Sequence, residues 1–306
     1  MRVVVTGAAG FIGGHAVAAL TRAGHDVLAV DAPARSLTPG RARERFAALG
    51  VPTAHVDLAE DPLDAVADAD AVVHLAGRPG VRTSWGAGRA AVARDNVEAT
   101  RRLLDACRDS GAKVVLASSS SVYGTAGARP SRETDPPLPA SPYAESKVEV
   151  ERLAAKAADA GVAVAVLRYF SVYGPGQRPD MAFHRFIEAA LDGRPLPLFG
   201  DGGHLRSFTH VRDAVAATLA ALTRPLPGGV VVNVGSAEPV SVLDALERIA
   251  TALGVPAAVT RRPLVAGDVS RTWADPGRAA HLLGWRPTTT LDDGLADQIA
   301  WHRSLR

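Results

Sequence analysis

The chain has 306 residues, enough for one large domain or two smaller ones, and 47% of them are apolar against 22% charged, the balance of an ordinary globular protein. Lys and Arg total 34 against 32 Asp and Glu, so there is no strong field of the kind that makes nucleic acid the main partner. Cys107 is the one cysteine, which excludes an internal disulfide and a cysteine metal cluster; no metal, no membrane span and no signal peptide are expected, and the cytoplasm is the expected compartment.

Residues 2–6 form a short β-branched run suited to a strand buried on both faces. Gly7-Ala-Ala-Gly10-Phe11-Ile12-Gly13 follows, then an Ala-rich helix to about Ala23. In a strand–loop–helix unit such glycines let the backbone turn tightly and approach a pyrophosphate at the helix N-terminus, so the unit points to dinucleotide binding. The spacing is Gly-x-x-Gly-x-x-Gly rather than Gly-x-Gly-x-x-Gly. A second strand, Asp26 to Val30, ends at Asp31. An acid there can accept both hydroxyls of the adenosine ribose and would repel a 2′-phosphate, which favours NAD over NADP. Arg35 nearby is the feature that would suit NADP, and a solvated strand-end acid is the plain alternative for Asp31.

Thr53–Val56 reads as a third strand ending at Asp57 and Leu58, and Ala71–Leu75 as a fourth, followed by Ala76 and Gly77. Residues at such carboxyl ends face the ligand crevice of a doubly wound sheet. A Gly/Arg-rich loop, 78–88, leads to a long helix, 89–110, carrying Asn96. The fifth strand, Lys113–Ala117, runs into Ser118-Ser119-Ser120-Ser121-Val-Tyr-Gly124. After the loop 125–140, Ser141 caps a helix and Pro142 suits its first turn. Tyr143 and Lys147 are four residues apart on that helix, hence on one face. A neighbouring ammonium favours the phenolate, which makes Tyr143 a candidate base; a surface helix pair is the bland reading. Val162–Leu167 is the sixth strand, leading into Arg168-Tyr169-Phe-Ser171-Val-Tyr-Gly-Pro175. This alternation predicts an α/β fold, a parallel sheet flanked by helices. Beyond about residue 175, Gly and Pro are frequent and strands such as Val230–Val234 are separated by short helices. We therefore expect a dinucleotide-binding domain over 1–175 and a mainly substrate-binding lobe over 176–306, with the chain crossing between them.

Taken together, the glycine loop, His74-Leu75-Ala76, the 118–124 serine loop, Tyr143-x-x-x-Lys147, the 168–175 segment and Phe199-Gly-Asp-Gly202 resemble the extended short-chain dehydrogenase/reductase superfamily. Within it the chain is similar, over essentially its whole length, to nucleotide-sugar 4-epimerases of the UDP-glucose and UDP-glucuronate type. The resemblance implies a Rossmann-type doubly wound sheet with a smaller C-terminal α/β lobe, and NAD that stays bound. It implies Ser119, Tyr143 and Lys147 as the catalytic trio: Tyr143 takes the sugar 4-hydroxyl proton, Ser119 hydrogen-bonds that oxygen, and Lys147 holds the nicotinamide ribose and lowers the Tyr143 pKa. Gly7, Gly10, Phe11, Ile12, Gly13, Asp31, Asp57, Leu58, Leu75, Ala76 and Tyr169 join Tyr143 and Lys147 as the implied cofactor contacts. Ser120 and Ser121 stand where related 4,6-dehydratases carry an Asp-Glu pair, which argues against water elimination.

On the substrate side the resemblance implies Arg82, Thr83, Ser120, Phe199, Ser171 in place of a frequent asparagine, and Arg206 on the diphosphate of a UDP-sugar, with Ser207 where the family usually has Asp. Asp268 matches a position that contacts the nucleotide ribose; Val265 replaces a frequent arginine, for which Arg271 is the stand-in. Segments 80–85 and 176–181 resemble UDP-glucuronate 4-epimerases, and Arg178 is suited to a C6 carboxylate. UDP-glucose or its N-acetyl relative is the alternative substrate; a reductase using NADPH and a non-catalytic NAD(P)-sensing protein are the other readings, the last opposed by the intact trio. A homodimer is expected through a four-helix bundle of the Ala-rich helices 89–110 and 143–160.

Overall fold

Val3, Val4 and Val5 are fully buried because their strand, Arg2–Thr6, lies in the middle of a parallel sheet covered on both faces. In the computed structural model, which describes residues 1–263 and 267–306, that sheet has seven strands. Their order is Val230–Val234, Val164–Tyr169, Lys113–Ser119, Ala71–His74, Arg2–Thr6, Asp26–Asp31, Thr53–His55, with every pairing parallel. The order reverses between Arg2–Thr6 and Ala71–His74, and a doubly wound sheet opens a crevice at such a point, beyond its carboxyl ends.

Each face has its own core. Helices Phe11–Arg22 and Val211–Thr223 cover one, around Val3, Val5, Leu20 and Ala214. Ala99–Ser110 and Pro142–Asp159 cover the other, around Leu103, Cys107, Val150 and Ala154. Cys107 is core, as its apolar neighbours predicted, and burial pushes its thiol up to about 12, far from reactive thiolate.

The predicted helix 89–110 is interrupted. Gly88–Val92 is α-helical, Ala93–Glu98 forms a wide π turn, and Ala99–Ser110 resumes the α-helix. Asn96, in the wide turn, is buried: its Oδ1 accepts from Arg78 N at 2.6 Å and its Nδ2 donates to Ser146 Oγ at 2.9 Å. The strand Val230–Val234, grouped by sequence with the smaller lobe, is instead the edge of the main sheet beside Val164–Tyr169. A five-residue apolar strand reads alike in either lobe, so only its pairing reveals its place. The smaller lobe pairs Leu196–Phe199 with Val259–Arg262 and builds its core from Phe183, Phe186, Ile187, Leu246 and Ile249, with Leu295 and Ile299 of the helix Leu291–Ser304.

Candidate active site

The carboxyl ends of the sheet open into a cleft of about 530 Å³. Its floor is the glycine loop. Gly7 has φ +70, and a Cβ there would lie 2.6 Å from Ala76 N; a Cβ on Gly13 would drive into the Gly7 carbonyl oxygen. Glycine is thus sterically required at both positions. Gly10 N donates to Gly7 O at 2.9 Å, and the helix Phe11–Arg22 starts without a side-chain cap. Its first N–H groups have no side-chain acceptor, which fits a pyrophosphate. Phe11, Ile12, Leu58, Leu75 and Ala76 line the same cleft.

Asp31 stands at the predicted strand end, yet one oxygen is engaged: Oδ2 accepts from Ala9 N at 2.8 Å. Burial pushes its carboxyl up, against the bonds from Ala9 and Ala32. Asp57 is more fully occupied. Arg94 Nη2 donates to it at 2.6 Å and Ala59 N at 3.1 Å, and these bonds outweigh its burial to hold it below the usual carboxylate range. Arg94, which sequence reasoning passed over, also binds Asp95 and Glu60 and closes this end of the cleft. Tyr169 lines the cleft, but its hydroxyl is bonded to Thr218 Oγ1 at 2.7 Å.

Ser119, Tyr143 and Lys147 meet in the same cleft. The helix Pro142–Asp159 starts as predicted, with Ser141 Oγ accepting from Ala144 N at 3.2 Å. Ser119 Oγ accepts from Ser121 N at 3.2 Å and so caps the turn Ser120–Tyr123. Tyr143 and Lys147 line the cleft from one helix face, as their spacing predicted. Lys147 Nζ donates to Ala117 O at 2.9 Å, toward the strand behind the tyrosine. The Tyr143 phenol is pushed up by burial, and the groups that pull it down are Ser119 and the Arg178 charge. Lys147 is itself driven down to about 8 by burial, with Glu151 opposing.

The residues expected on the substrate side are less fully assembled. Ser120, Ser171, Arg178, Arg206 and Asp268 line the cleft. Arg178 donates through Nε and Nη2 to Asp180, both at 2.9 Å. Arg206 is supported by backbone, through Leu205 O and Val269 O, each at 2.8 Å, so Ser207 need not replace an acid; its hydroxyl instead accepts from Ala274 N. Among the described residues Arg206 donates to no carboxylate, leaving its charge free for an anion. Arg82 and Phe199 sit outside the lining and on each other, the guanidinium 4.2 Å above the ring, with Arg82 Nη2 also 2.7 Å from Asp268. Thr83 closes a turn onto Gly80 O, and Arg271 is drawn to Gly127 O at 2.9 Å, away from the cleft. Val265 lies outside the described residues.

The family model described as the NAD dependent epimerase/dehydratase family matches residues 3–235. A protein of Bacillus subtilis (strain 168) called uncharacterized UDP-glucose epimerase YtcB is 39% identical, over 100% of this chain and 99% of its own. The UDP-glucuronic acid 4-epimerase from Bacillus cereus, solved with UDP-glucuronic acid and NAD, superposes with a TM-score of 0.95 at 36% identity, covering 100% of both chains. MoeE5, solved with UDP-glucuronic acid or UDP-glucose, each with NAD, gives a TM-score of 0.90 at 41% and 42% identity, again over 100% of both chains.

Proposed function

The chain belongs to the NAD dependent epimerase/dehydratase family, and we propose that it is an NAD-dependent nucleotide-sugar 4-epimerase that interconverts UDP-glucuronate and UDP-galacturonate. The observation that carries this is the convergence of the glycine cradle, Ser119, Tyr143, Lys147 and Arg178 on one cleft. The cradle would hold the NAD pyrophosphate through Gly7, Gly10 and Gly13, Asp31 would take the adenosine ribose, and Lys147 the nicotinamide ribose. NAD, when bound, supplies the acceptor and then the donor of the hydrogen at C4. The chain's own part is proton traffic at the 4-oxygen. Tyr143 removes that proton and returns it; Ser119 orients the same oxygen and steadies the phenolate. Ser120 and Ser121 put hydroxyls where an acid–base pair would serve elimination, which argues against a dehydratase.

Arg178 is the group for the C6 carboxylate, donating to it in exchange for Asp180. UDP-glucose is a second reading with its own support: Asp180 already neutralises Arg178, and MoeE5 was solved with UDP-glucose as well as with UDP-glucuronic acid. Assay of the purified protein with both sugars, resolved by chromatography, decides. UDP-galacturonate as the faster product is expected; UDP-galactose alone would reject the glucuronate assignment, and no epimer from either would reject the function.

We also propose that the enzyme is cytoplasmic and forms a homodimer. No helix among the described residues is long and apolar enough to cross a membrane. The outward face of Ala99–Ser110 carries exposed Arg101, Asp105 and Arg108 joined in ion pairs, so charged side chains rather than packed alanines would meet a second copy there. Light scattering at micromolar concentration should give twice the chain mass; a monomer would refute the dimer.

A further inference from the structure

Behind the trio lies a buried charged cluster that the proposed reaction leaves unused. Glu151 sits one turn beyond Lys147 on the helix Pro142–Asp159, with its side chain 9% exposed. Arg168 donates to its two oxygens, through Nε at 2.9 Å and Nη2 at 2.6 Å, and the Ser118 hydroxyl donates at 2.5 Å. Arg168 Nη1 reaches the Tyr123 hydroxyl at 2.7 Å, and that hydroxyl donates to Asn233 Oδ1 at 2.7 Å. One carboxylate therefore ties two adjacent strands, Lys113–Ser119 and Val164–Tyr169, to the helix that bears Tyr143 and Lys147. Stability is a poor reason for such a pair, since well-packed apolar residues of similar volume often serve as well or better.

The surroundings of Lys147 give a better one. Tyr143 and Glu151 lie one turn to either side of it on its own helix, and the Ala117 carbonyl accepts from it on the strand below. His74, from Ala71–His74, is kept neutral by burial, its pKa down to about 3. Arg168 stands on the far side of Glu151, which consumes part of the Glu151 charge. Among these groups Glu151 is the only anion.

We propose that Glu151 is a positioning residue for the reaction assigned above: it keeps the buried Lys147 protonated and holds Ser118, and with it Ser119, in register with Tyr143. The inference rests on that reading of the trio. Burial alone favours a neutral amine at this site, and a neutral amine would no longer offer the positive charge that the site needs.

The chain has three lysines, Lys113, Lys147 and Lys156, so ¹³Cε-lysine NMR on the NAD-bound protein gives three signals, with Lys147 assigned by its loss in Lys147→Arg. In Glu151→Gln the Lys147 titration should move down by about one pH unit. The alkaline limb of kcat should move with it, while KM for UDP-glucuronate changes little. Glu151→Asp, which keeps the charge on a shorter arm, should fall between Gln and wild type. A purely structural role would lower kcat by one factor at every pH and leave the Lys147 titration in place; that result overturns the proposal. Should the Gln variant not fold, Glu151→Asp decides, and an unmoved titration there is equally fatal. If the wild type turns over no UDP-sugar, the assigned reaction fails, yet the NMR titration still tests the Glu151–Lys147 coupling.

Discussion

The two sides of the cleft are built from different materials. On the cofactor side the contacts are backbone, and their shape is set by sterics: a Cβ at Gly7 or Gly13 meets main-chain atoms that cannot move aside. On the side proposed for the sugar the charged groups are long side chains that already hold partners. Arg178 holds Asp180, Arg82 holds Asp268 while covering Phe199, and Arg206 rests on two carbonyls. A backbone cradle is preorganised and binds without rearrangement, whereas a parked arginine must exchange one partner for another. On the proposed function, retention of the dinucleotide should therefore follow from the fold, and choice of sugar from a few exchangeable ion pairs.

The largest effect should come from the group that stands between the two sides. Tyr143→Phe removes the base and should lower kcat by about 10²–10⁴-fold while NAD content, read by absorbance after heat release, stays at wild-type level. Near-wild-type turnover would end the mechanism. Gly13→Val strikes the cradle itself. Overpacking against the Gly7 carbonyl should cost about 1–3 kcal/mol or more, so the purified variant should arrive depleted of NAD. Full NAD occupancy would show that the cradle is less rigid than the comparison requires.

Arg178→Ala tests the exchangeable side. A charge-assisted bond is worth about 1.5–3 kcal/mol, so KM for UDP-glucuronate should rise roughly ten- to a hundredfold, and that for UDP-glucose far less. Equal losses would move Arg178 onto a part common to both substrates. The smallest effect should be at Asp31, which has one oxygen already bound to Ala9 N. Calorimetry on stripped protein should find NAD bound more tightly than NADP, with Asp31→Asn narrowing the gap by about tenfold or less. NADP bound as tightly as NAD by the wild type would remove Asp31 as the discriminator.

What could be read from the sequence divides along the same line. The glycine loop and Asp31 were legible from the strand–loop–helix pattern, Tyr143 and Lys147 from helical spacing, and Ser119 from the family resemblance, and the structure brings all of them to one cleft. The partners of the sugar-side arginines were not legible, because ion pairs such as Arg82–Asp268 join residues far apart in the chain. The Lys147 contact with Ala117 was hidden for a related reason: helical spacing fixes the face of a side chain but not the strand beneath it. Nor does any residue pattern announce the π turn at Ala93–Glu98, which depends on how Asn96 is received by Arg78 and Ser146.

The edge strand Val230–Val234 governs how the chain can be divided. A fragment stopping near residue 175 would lose that strand and the helix Val211–Thr223 with it. Val164–Tyr169, buried along its whole length, would become a bare apolar edge ready to recruit a strand from another molecule. The substrate lobe is consequently not a cassette. Grafting a different sugar specificity onto this scaffold means exchanging two separate inserts, before residue 211 and after residue 234, and leaving the segment between them with its host.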